Sequence, residues 1–146
     1  FSKQKFIPSN EKYTSPAIAG NITFDYSNNN GRYFISEGEL MFELDFSKSS
    51  NDNIQLYNDP QSIRTVAVVK DTDNIKFIKD ARAYDGSSRV RRPNINQIAI
   101  IQNINGFYAA KKILSIKDDT RGPLNDEVSF EYIIQTNGTP DFTTII

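Results

Sequence analysis

Cysteine, histidine and tryptophan are all missing from this chain of 146 residues. Without a thiol there is no cysteine nucleophile and no disulfide staple. Without an imidazole there is no Ser-His-Asp or Cys-His triad, no haem ligation through His and no ordinary zinc site. Chemistry, if there is any, falls to carboxylates, Lys, Arg, Tyr, Ser and Thr. Lack of cysteine fits a cytosolic protein and a disulfide-free secreted one equally well. Long apolar runs are missing too, since nothing approaches the roughly 18–20 residues that a membrane helix needs. The N-terminal Phe-Ser-Lys-Gln-Lys-Phe-Ile-Pro has no apolar centre of the signal-peptide kind. The resulting expectations are no membrane insertion and a cytoplasmic location. A chain that starts without Met reads as trimmed, or as a piece of something larger.

Known motifs are equally scarce. There is no Gly-x-x-x-x-Gly-Lys phosphate loop, no Gly-x-Gly-x-x-Gly and no Gly-x-Ser-x-Gly elbow. A Glu-x-Lys element of the nuclease kind is absent, and no cofactor is implied. Asn and Ile crowd the chain, as the codon usage of an AT-rich bacterial genome produces. On such a background the sequons at Asn21 and Asn137 are expected by chance.

The material present is aromatic and strand-forming. Ten Phe and seven Tyr stand in a chain that is only 38% hydrophobic, with a mean hydropathy of −0.52. Aromatic and β-branched side chains fit a pleated surface. Glu39–Phe46 alternates cleanly: Leu40, Phe42, Leu44 and Phe46 against Glu39, Met41, Glu43 and Asp45, a period of two with one buried and one wet face. Ile22–Tyr26, Asn53–Tyr57, Ile63–Val69 and Glu127–Gln135 read as further strands, with Ile63–Val69 deep in the sheet. Gln97–Lys117 reads as a hairpin about Asn105-Gly106, a pair that tolerates the φ > 0 required at both positions of a type I′ turn. Asn30-Gly31 offers another tight turn, and Asn137-Gly138 a last hairpin to 142–146. Residues 79–93 read as a helical turn around Ile78–Tyr84 followed by an exposed connection.

Turn signals every 8–12 residues without a long amphipathic helix point to an all-β fold, a single antiparallel sandwich or small barrel of about seven to nine strands. It would occupy residues 20–146, behind a disordered or extended tail at 1–19 with no assigned structure.

Two clusters are candidates for chemistry. Between 76 and 92, Lys76, Lys79, Arg82, Arg89, Arg91 and Arg92 stand against Asp80 and Asp85, a local excess of four positive charges in a chain of net charge −1. Arginine suits planar, bidentate contact with phosphate or carboxylate, and Tyr84 offers a stacking face. Arg82, Tyr84, Arg89, Arg91 and Arg92 are therefore the expected ligand-binding residues. The second cluster is Asp118, Asp119, Asp126 and Glu127, oxygen donors for Ca²⁺ or Mg²⁺ whose spacing matches no calcium loop and which Arg121 can neutralise. Glu39, Glu43 and Glu131 belong to wet strand faces. Of Lys111 and Lys112, the one sharing the parity of Tyr108, Ala110, Leu114 and Ile116 faces inward, marking a polar cavity, a strand end or a guarded sheet edge.

Three functions follow as expectations. A non-catalytic ligand-binding, sensing or protein-interaction module of a larger bacterial protein comes first, taking an anionic ligand or a partner protein. A nucleic-acid or nucleotide-binding β domain comes second, although the whole-chain charge lacks the usual basic excess. A carboxylate- or metal-dependent hydrolase comes third. Unpaired strand edges offer a route to homo-oligomers.

Overall fold

A computed structural model describes residues 13–50, 52–117 and 126–144. The protein is all-β. Its strands are β1 (Thr14–Ser15), β2 (Ala19–Asp25), β3 (Arg32–Ile35), β4 (Phe42–Ser47), β5 (Gln55–Tyr57), β6 (Ile63–Val69), β7 (Val90–Arg91), β8 (Ile98–Asn103), β9 (Tyr108–Lys117) and β10 (Glu127–Gln135). β1 and β7, two residues each, carry the count past the expected range. One sheet runs β1-β3-β4-β5-β7 and the other β2-β10-β9-β8-β6, antiparallel throughout except for β1 beside β3. β6 is thus an edge strand, not a deep one.

The two sheets pack face to face through aromatic rings. Phe46 of β4 meets Phe24 and Phe130, and Phe130 meets Tyr33 and Tyr132, with centroids 5.6 to 6.3 Å apart. Each such pair contributes about 0.5–1.5 kcal/mol beyond its buried area. The alternation of β4 places Phe42, Leu44 and Phe46 in this core and Glu43 and Asp45 outside it. The strand starts later than the alternation suggested. Residues 36–41 turn through positive φ at Ser36 and Gly38, which tucks Met41 inside at 2% exposure.

The flank of the sandwich is closed by residues assigned no structure from sequence. Thr14–Ser15 pair with Phe34–Ile35, and the chain then crosses to the other sheet. Ser36 N–H donates to the Ser15 carbonyl (2.7 Å), and Ile134 N–H to that of Ile18 (2.8 Å). The Tyr132 hydroxyl donates to the Ala17 carbonyl (2.9 Å) and lies 2.7 Å from Ser15 Oγ. Residues 1–12 lie outside the described part of the chain.

The second sheet is buried on both faces along β8, which explains the unbroken Ile-Ala-Ile-Ile there. Ala99 and Ile101 face the sandwich core, while Ile98 and Ile100 face a second, outer cluster with Val69, Ile75, Ile78, Ala81 and Phe142. The cover consists of two 3-10 turns, Ile75–Phe77 and Ala81–Ala83, and the segment after β10. Ala81 N–H donates to the Pro140 carbonyl (2.8 Å) and Phe142 N–H to that of Ile78 (2.9 Å). The helical turn expected around Ile78–Tyr84 is thus the 3-10 turn Ala81–Ala83 of this cover, and the connection after it carries β7. Asn137-Gly138 does turn the chain, with φ +79° at Gly138, but among the described residues no strand follows. Phe142 plugs the outer cluster instead.

The central hairpin forms with a different turn. Only Gly106 takes positive φ (+91°), and Asn103 N–H donates to the Phe107 carbonyl, leaving a three-residue loop. The reason is Asn103. Its buried carboxamide oxygen accepts from Asn105 N–H (3.1 Å) and Phe107 N–H (3.0 Å), while its NH₂ donates to the Glu39 and Met41 carbonyls (3.1 and 3.2 Å). One side chain thereby shapes the turn and ties it to the other sheet.

The inward lysine is Lys111, not Lys112. Ser129 pairs with Ser115 but Phe130 with Ile113, so Leu114 is the extra residue of a bulge and stands 38% exposed. Counting straight through Leu114 inverts every face on the turn side of it. Ala109, Lys111 and Ile113 face the core, and Lys112 stands outside opposite Glu131. β9 is the middle strand of its sheet, and Lys111 pairs with Ala99 and Tyr132 in mid-strand, so no strand end or sheet edge is involved. Lys111 is 0% exposed, and its Nζ finds no hydrogen-bond partner. It sits 3.9 Å from the Phe46 ring centroid and 5.2 Å from that of Phe130. Cation–π attraction is worth about 2 kcal/mol when desolvated, against several kcal/mol to strip an ammonium of water. Desolvation wins, and burial pushes the amine well below the usual lysine range.

Two substitutions test this framework. Gly31 has φ +74°, and a Cβ there would lie 2.1 Å from the Phe46 carbonyl oxygen. Gly31→Ala is expected to cost roughly 2–4 kcal/mol in urea unfolding. Asn103→Ala strands two N–H groups and two carbonyls and is expected to cost about 2–4 kcal/mol; a loss below about 0.5 kcal/mol would remove its role as a pin.

Candidate anion-binding cleft

The lid and the two edge strands decide where the basic stretch goes, and they divide it among three places. Arg82 leaves the second 3-10 turn and grips the Asp80 carboxylate through Nε (2.9 Å) and Nη2 (3.1 Å), which holds that carboxyl below its usual range. The Tyr84 hydroxyl donates to Asp71 (2.9 Å), and burial, then the Asp71 bond and charge, push the phenol up to about 12. Both line a small groove of about 190 Å³ on the outer face of the second sheet. Beside them Gly86 crosses β6 so closely that a Cβ would lie 2.8 Å from Thr65 Cβ.

Arg89 goes to the opposite side of the molecule. It forms a bidentate pair with Asp59 (2.8 and 2.8 Å) and lies 5.2 Å from the Tyr57 ring centroid. Asp59 is held below its usual range by that guanidinium. Nearby on the outer face of the first sheet is a pairing that sequence reasoning missed. Arg32 bonds Glu43 and reaches Asp45 at 3.4 Å, across the register of β3 and β4. Asp45 is 9% exposed, and its desolvation raises the carboxyl despite Arg32. The outward alternation of Glu43 and Asp45 was the available signal; the partner strand was not.

Arg91 and Arg92 are the two candidate arginines that share one cleft. Edge strand β7 of the first sheet lies against edge strand β6 of the second, and between them opens a cleft of about 570 Å³. Val68, Lys70, Asp85, Ser88 and Val90 line it with the two arginines. Arg91 Nη2 donates to the Asp85 carbonyl (2.7 Å) and lies 3.4 Å from its carboxylate, while Arg91 Nε is buried without a hydrogen bond. Arg92 and Lys70 form no ion pair among the described residues. Three cations thus face one carboxylate, itself held below its usual range by Ser87 and then by Arg91.

Of the acidic cluster, Asp118 and Asp119 lie outside the described residues. Asp126 reaches Lys48 at 3.6 Å, and Glu127 opens β10 in register with Asp25 and Lys117. Among the described residues no three acidic side chains are grouped as a metal site would require. No described helix is long and apolar enough to cross a membrane. Against known protein families, curated proteins and solved structures alike, the chain finds no match.

Because the Arg89–Asp59 pair is exposed and screened by solvent, Arg89→Ala is expected to leave the thermal midpoint near that of the parent. Differential scanning calorimetry checks this, and a large drop would make Arg89 part of the framework.

Proposed function

We propose that this domain is a non-catalytic binding module that receives an anionic group of a ligand or partner protein in the β6–β7 cleft. Arg91 supplies a guanidinium held in place by Asp85, and Arg92 and Lys70 supply charge that no neighbour neutralises among the described residues. That convergence of three cations on one concavity carries the reading. A guanidinium braced on one side offers its remaining donors in a fixed plane, the geometry that carboxylate and phosphate match.

The nucleic-acid reading needs a continuous cationic track with stacking faces. Here Arg82 and Arg89 each hold an aspartate, and the Tyr84 hydroxyl is tied to Asp71 on another face. What is left is one cationic cleft of about 570 Å³, a pocket and not a track. The hydrolase reading keeps only Asp126 and Glu127 among the described residues, and no partner carboxylate groups with them into a metal site.

Titration calorimetry with inorganic phosphate and with a glutamate-rich peptide tests the proposal. Binding of either probe should weaken by about tenfold or more in Arg91→Ala/Arg92→Ala, fall as salt rises, and survive Arg89→Ala. Equal affinity in the double variant, or no binding of either probe to the parent, overturns it.

A further inference from the structure

Lys111 plays no part in the cleft, and among the described residues it is the lysine that is fully buried. The amine is fully buried in mid-strand at the centre of its sheet, with no hydrogen bond, between one ring from each sheet. We propose that Lys111 is a proton-operated latch: the two sheets close around its uncharged amine, and protonation there drives them apart.

The groups around it leave the proton no counter-charge. On β4 the carboxylates Glu43 and Asp45 stand on the outer face, and on β10 Glu131 stands opposite Lys112. β8 contributes Ala99, which cannot titrate. The titratable groups sharing the core are the phenols of Tyr26, Tyr33 and Tyr132, with Tyr13 packed against it, and burial raises those of Tyr33 and Tyr132, keeping them neutral. Accordingly desolvation is the one cause that lowers Lys111.

The sign follows from linkage. In the unfolded chain Lys111 carries its proton up to about pH 10.4, whereas in the fold it does not. Unfolding therefore takes up one proton, and stability falls as pH is lowered, from the ordinary lysine pKa down to the depressed one. Burial sets the folded end of that window well below the ordinary lysine range, so the window opens just under that range and runs downward. The composition simplifies the window, and the α-amino group that also titrates there is common to parent and variant. With no His and no Cys, no other side chain has an ordinary pKa between pH 7 and 9.

Urea unfolding of the parent and of Lys111→Met between pH 7 and pH 9 is the test. The parent's unfolding constant, relative to the variant's, should rise as pH is lowered, by up to about tenfold per pH unit, the limit for one proton taken up. A ratio that stays flat overturns the latch. Should Lys111→Met fail to fold, calorimetric unfolding of the parent at pH 8 in buffers of different ionisation enthalpy measures proton uptake directly. Close to one proton supports the proposal, and none refutes it.

Discussion

Phe46 and Phe130 face one another across the sandwich with ring centroids 5.6 Å apart, and further ring contacts extend from this pair. Phe24 leans on the first ring, Tyr33 and Tyr132 on the second, and the Lys111 amine lies over both. The backbone of Phe46 has a second duty, since its carbonyl sits where any side chain on residue 31 would go. The turn between β2 and β3, the contact between the two sheets and the surroundings of one lysine thus all involve a single residue, Phe46. Interiors packed this closely transmit local changes of volume or charge because they have few voids to absorb them.

Lidding of the second sheet is what scatters the arginines. The Ile75–Ala83 stretch has to keep Ile75, Ile78 and Ala81 against the outer cluster. Arg82 and Tyr84 are then left on that face, and the chain must pass Thr65 at Gly86 before it reaches the first sheet as β7. Arg89 and Arg91 end on different sides of the molecule although only one residue separates them. A run of positive charge in sequence is not a patch in space when the backbone turns from one layer to another inside it.

Much of the fold was legible in the alternation of β4 and β10 and in the β-branched run of β6, because a period of two depends only on which side of the backbone is dry. The places where reading failed all involve an interaction outside the strand concerned. The bulge at Leu114 is visible only against β10, and missing it exchanged Lys111 with Lys112. The turn at Asn105-Gly106 departs from the two-residue form because Asn103 bonds to the loop and to Glu39 and Met41, more than sixty residues away. Of the site, residue type was informative and position was not. Asp59, thirty residues before Arg89, and Asp71, thirteen before Tyr84, take two of the five candidates out of circulation.

The crossover at residues 15–18 carries a mechanical consequence. There the chain is stitched to β3 by Ser15, to β10 by Ile18, and to the Tyr132 phenol by Ser15 and Ala17. Tension arriving through Tyr13 meets β1 first. A load directed along β1 strains its few bonds to β3 together, whereas one directed across it peels them in turn. When that clasp yields, the force passes to the Tyr132 hydroxyl, and from there into the strand that lies beside the buried amine.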